Sequence, residues 1–190
     1  MKSFILILLA TFLTPAWAHS GNSLSPIFGF LAGFAHPLSG IDHLLFMFSI
    51  GLYASRFKGQ ASLGIFGLFL IFLALGTYLA NLNLSLPNAE TGIVLSLFGA
   101  GIILVSNKTP THAIIFPFVA YFALCHGYSH AIEMNVENIA NRYFAGFLSS
   151  TLLILFLGKL NGRFTVTKVQ YLRKVTGIAS LVLGTLVLAN

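Results

Sequence analysis

Six apolar stretches, near 26–55, 60–81, 89–106, 112–131, 139–158 and 170–189, restrict this chain more than any other feature. A bilayer core about 30 Å thick needs about 20 apolar residues per helix. Inside it every backbone polar group must be satisfied within the protein, which leaves helices and closed barrels. The chain is 57% hydrophobic and 7% charged, whereas a soluble domain carries about 25% charged residues. The sequence therefore predicts an all-α polytopic membrane protein, a bundle of six transmembrane helices in one domain over 19–190. The first stretch is longer than one straight crossing requires, and it contains Pro37 and Gly40. Proline removes a backbone donor and clashes with the preceding turn. The first helix is expected to be kinked or broken there, over His36–His43.

Residues 1–18 read as a cleavable signal peptide, with Lys2, a short apolar run and then Ala16-Trp17-Ala18. Cleavage would leave His19 as the mature N-terminus, on the periplasmic side of a bacterial inner membrane. Six crossings from there place Arg56, Lys58, Lys108, Lys159, Arg163 and Lys168 in cytoplasmic loops, with Arg173 and Lys174 just beyond. The outer loops, near 82–88 and 132–138, hold no Lys or Arg, and Arg142 is the one exception nearby. This matches the positive-inside rule. The net charge of +6 is thus a consequence of topology and does not point to nucleic acid. The single cysteine, Cys125, rules out an internal disulfide and a Cys-rich zinc site. No Walker A loop is present, so ATP is not bound by that route. Glycines in the spans, among them Gly29, Gly33, Gly64, Gly67, Gly99, Gly101, Gly177 and Gly184, are expected to let helices pack closely.

Two polar clusters interrupt the apolar runs. The first is His36 with Asp42 and His43; the second is His126 and His130 with Glu133. An ionisable group at such depth costs about 2.5–3.5 kcal/mol on insertion scales and is rare unless used. One such histidine alone is usually a helix–helix hydrogen-bond partner, but two clusters on one side of the membrane favour a site. His126 and His130 are four apart and share a helix face, about 6 Å apart along the axis. His36 and His43 are seven apart, about 10.5 Å along an ideal helix. That is too far for one ion at metal–nitrogen distances of about 2.0–2.1 Å. Either the break folds them together or they form successive sites. Imidazoles with carboxylates suit Ni²⁺ or Co²⁺, then Zn²⁺. One acid should orient a ligating imidazole by accepting its other N–H; Asp42 is placed for that, or for direct ligation. His19 is a further candidate, through its imidazole and terminal amine. Glu90 is either a path residue or an acid favoured by a helix N-terminus. Cys125 and Met47 read as packing residues, and His112 as an interface residue.

These residues resemble the HupE/UreJ family of nickel and cobalt permeases. That family carries H-x5-D-H in its first transmembrane helix, matched by His36, Asp42 and His43. A second motif, F-H-G-x-A-H-G-x-E, is matched by His126, Gly127, His130 and Glu133, with Cys125, Ser129 and Ala131 as departures that change packing rather than ligand chemistry. The resemblance extends to the signal peptide, the mature N-terminal histidine, the length and the six helices. It implies uptake of Ni²⁺, or in some members Co²⁺, from the periplasm.

The expected protein is a secondary transporter with no permanently bound cofactor. Its partners are a divalent metal ion and the lipid bilayer, with a homo-oligomer left open. Two rivals use the same side chains. An intramembrane zinc-dependent hydrolase would hold zinc on three histidines with one position open. A b-type cytochrome would ligate haem from two helices, but the adjacent acids argue against it.

Overall fold

The computed structural model describes residues 26–106, 109–133 and 140–189. The expected signal peptide, His19 and Lys108 lie outside the described residues. Within them the fold is all-helical: α1 (Pro26–Ser39), α2 (Ile41–Ala54), α3 (Gln60–Asn81), α4 (Ala89–Val105), α5 (His112–Glu133), α6 (Ala140–Asn161) and α7 (Val166–Leu188). The first apolar stretch is thus two helices, divided at Gly40, which is extended at φ −89° and ψ 109°. The ladder closes on one side with the Gly40 N–H donating to the His36 carbonyl and resumes with Leu44 N–H donating to Gly40. The last helix starts at Val166, four residues before the apolar stretch read from the sequence.

Helices α3, Asn141–Asn161 of α6, and α7 are each long and apolar enough to cross a membrane; Ile27–Ser39, α2 and α4 are shorter apolar helices. Large hydrophobic side chains such as Ile71, Ile102, Leu153 and Ile178 are exposed on the outside of the bundle, as an apolar solvent requires. The chain is a helical membrane protein.

Helix α2 is the axis. Every residue from Phe46 to Ala54 is buried, so beyond its first turn this helix is enclosed on all sides and almost wholly apolar. Helices α4, α6 and α7 pack along it, while α1 lies against α6 and α3 against α5. Three of these contacts, and that of α4 with α7, are drawn tight by reciprocal glycines. A Cβ on Gly33 would overlap the Tyr143 carbonyl, and one on Gly146 the Phe30 carbonyl, joining α1 to α6. Gly51 and Gly158 do the same for α2 and α6, Gly76 and Gly127 for α3 and α5, and Gly101 and Gly177 for α4 and α7. Helices in lipid lack a hydrophobic force between them and rely on such close approach. Gly64 and Gly67 differ from the sequence expectation: a Cβ at either meets nothing within 4 Å. Their spacing on one face resembles a packing motif, but that face of α3 is open.

Candidate metal site

The break at Gly40 sets the site. It starts α2 with Ile41-Asp42-His43, so the first turn of the central helix carries a carboxylate and an imidazole side by side. The Asp42 carboxylate accepts the Nδ1–H of His43 at 2.8 Å. Gly40 leaves room for this bond: a Cβ there would come within 2.7 Å of His43 Nδ1 and 3.0 Å of Asp42 Oδ1. The positive end of the α2 dipole would oppose a cation, and the Asp42 charge offsets it.

On α5, His126 and His130 face α2 and are 0% and 2% exposed. The Nδ1–H of His126 donates to the Phe122 carbonyl at 2.8 Å. A carbonyl only accepts, so the lone pair of His126 is on Nε2. The Asp42 bond puts the lone pair of His43 on Nε2 in the same way. Both Nε2 atoms are buried without a hydrogen-bond partner. Leaving a buried acceptor unmade costs about 1–3 kcal/mol. Two such atoms, each on a ring oriented through its other nitrogen, are the arrangement that histidine metal ligands require.

The four imidazoles form one cluster. Ring centroids are 4.2 Å apart for His43 and His130, 5.0 Å for His43 and His126, and 4.5 Å for His36 and His130. His36 and His43, too distant on an unbroken helix, have centroids 6.3 Å apart. His36 Nε2 and His130 Nδ1 share a hydrogen bond of 2.8 Å. That bond occupies one nitrogen of each ring, and among the described residues no three His, Cys, Asp or Glu side chains are set to hold one metal ion as they stand.

The other sequence candidates sit apart from this cluster or outside view. Glu90 is exposed in the first turn of α4. Glu133 is the last residue of α5, and its side chain, like all of His19, is outside the described part. Cys125 is buried with its Sγ against Gly92 of α4, Met47 is in the core, and His112 packs on Phe57 and Phe116.

Aromatic walls enclose the cluster, and these were not singled out from the sequence. Phe46 stacks on His126 with centroids 4.8 Å apart and planes at 17°. It also meets Phe69, Phe118 and Phe122, forming an apolar floor. Tyr143 and Phe147 of α6 flank His36, and Phe147 also meets His130. The spacing of Tyr143 and Phe147, one helical turn apart, and of Phe46 three residues after His43, was the available signal.

The model of the HupE/UreJ protein family matches residues 6–187. The chain belongs to the HupE/UreJ family. The protein HupE of Rhizobium leguminosarum bv. viciae is 37% identical over 153 residues, covering 79% of this chain and 78% of that one. No solved structure matches. The HupE/UreJ match includes His36, Asp42, His43, His126 and His130, so the imidazole cluster lies within the family's own extent.

Proposed function

We propose that this chain is a permease rather than an enzyme, taking up a divalent transition metal, Ni²⁺ or Co²⁺ ahead of Zn²⁺, from periplasm to cytoplasm across a bacterial inner membrane in six crossings. The observation that carries the reading is the pair of buried, oriented and unpartnered Nε2 lone pairs on His43 and His126. Neutral imidazole nitrogen suits these ions. Membership in the HupE/UreJ family supports a transport role.

In this reading the ion meets His19 and the acids Glu90 and Glu133 near the outer ends of α4 and α5. It then displaces the His36–His130 hydrogen bond and binds among His36, His43, His126 and His130. Asp42 neutralises charge and keeps the His43 lone pair on Nε2. The apolar floor at Phe46 blocks direct passage, so release inward requires a second conformation. Binding must be selective yet weak enough to let the ion leave.

The test is uptake of radiolabelled nickel and cobalt into proteoliposomes with and without the chain. Uptake saturable at low metal concentration and absent without the chain is expected. A protein that keeps one zinc through purification, hydrolyses a lipid or peptide and carries neither ion would reject the transport reading in favour of an intramembrane hydrolase.

A further inference from the structure

At the end of the bundle away from the imidazoles, a cavity of about 590 Å³ opens between the ends of α2 and α4 and the start of α7. This is within the range of about 300–1,000 Å³ for small-ligand sites. Three cationic side chains line it, Arg56, Arg173 and Lys174, with Gln170 beside them and Leu104 and Val105 as an apolar wall. Arg56 is held by Thr109 Oγ1 at 3.2 Å and the Ser106 carbonyl at 3.5 Å. Arg173 donates to Ser55 Oγ at 3.2 Å, next in sequence to Arg56, so both guanidinium groups are fixed at the cavity. The Nε of Arg173 is buried with no hydrogen-bond partner.

Among the described residues no carboxylate lines this cavity. The chain has four acids, Asp42, Glu90, Glu133 and Glu137. Asp42 and Glu90 lie in the first turns of α2 and α4, whereas the cavity is at the C-terminal ends of those helices. At 1.5 Å per residue that is about 20 Å away. Glu133 closes α5 at the end opposite Thr109, and Glu137 follows it in sequence. The carbonyl ends of α2 and α4 supply part of the compensation through their dipoles. A partial negative charge does not satisfy the buried Arg173 Nε–H.

We propose that this cavity is a binding site for a phosphate-bearing anion, with the phosphate held by Arg56, Arg173 and Lys174. A phospholipid headgroup or a free phosphate supplies the same chemistry. The apolar wall of Leu104 and Val105 suits a lipid, and basic pockets between helices on the cytoplasmic side recruit anionic headgroups. A zwitterionic headgroup fits less well, because nothing acidic in the cavity receives its ammonium.

The experiment uses the full chain in neutral detergent and follows its melting temperature against phosphatidylglycerol, phosphatidylethanolamine or inorganic phosphate. Phosphatidylglycerol should raise it saturably, and phosphatidylethanolamine should not. Arg173→Gln should weaken the apparent phosphatidylglycerol affinity about tenfold, the worth of one charge-assisted hydrogen bond. Lys174→Gln, at an exposed position, should weaken it in the same direction, and it decides the matter if Arg173→Gln does not fold. Stabilisation by inorganic phosphate alone, lost in the same variants, supports the site with a free anion as its occupant. Equal stabilisation by the two lipids, no stabilisation by any of the three, or an unchanged response in the variants overturns the proposal.

Discussion

Asp42 and His43 are adjacent residues whose side chains bond to each other, a contact that a regular helix does not give to neighbours. The glycine before them makes it affordable by leaving the space where a Cβ would press on both polar atoms. In the proposed site Asp42 orients His43 and supplies charge. Asp42→Asn keeps an oxygen that can accept the Nδ1–H but loses the charge. Changes at a residue that supports a ligand lower metal affinity or activity about 10- to 100-fold. That loss in nickel uptake is expected for Asp42→Asn, with membrane levels of the protein unchanged; wild-type uptake would remove Asp42 from the site. Legibility was uneven here. The presence of His36, Asp42, His43, His126 and His130 is written in the motifs, but the pairing of His36 with His130 is not. Nor is the stacking of Phe46 under His126, because ring orientation depends on residues far apart in sequence.

Among the elements, the contrast between glycines is the sharpest test of the packing. Gly127 of α5 faces the Leu73 carbonyl of α3, and backbone cannot give way as a side-chain tip can. Gly64 on the same α3 faces open space. Gly127→Ala is therefore expected to destabilise the protein by about 1–3 kcal/mol, the usual cost of overpacking, read as a lower melting temperature in detergent. Gly64→Ala should leave the melting temperature unchanged or raise it, since alanine is the better helix former by about 0.8–1.0 kcal/mol. An equal gain in both would mean that helix propensity, not close approach, governs these positions. Composition alone does not separate the two glycines. A small residue in an apolar helix is visible in sequence, but whether another backbone lies against it is a property of the assembled bundle. The division of the first apolar stretch at Gly40 was legible, because Pro37 and Gly40 disfavour a continuous helix by local chemistry.

For the whole molecule, the arrangement is polar at one end and basic at the other, with an apolar floor between. If a bare divalent ion is what crosses, inward movement gains about 4.6 kcal/mol at 100 mV for two charges. Proteoliposomes carrying a potassium diffusion potential, inside negative, should accumulate nickel faster than those clamped at zero potential. Equal rates under both conditions would show that the carried charge is balanced by counter-movement, and the electrogenic reading would fail.

The membrane class, the helical fold and the polar residues His36, Asp42, His43, His126 and His130 as candidates were legible in the sequence alone. Hydropathy, proline and glycine chemistry and the presence of ionisable groups act over a few residues and need no knowledge of neighbours. Only the tertiary structure decided which face each helix buries, which glycines are contacts and which nitrogens keep free lone pairs. It also decided that, among the described residues, three cations share a cavity without an acid. Each of these depends on where a second helix comes to lie, and close packing in lipid fixes that by shape rather than by local pattern.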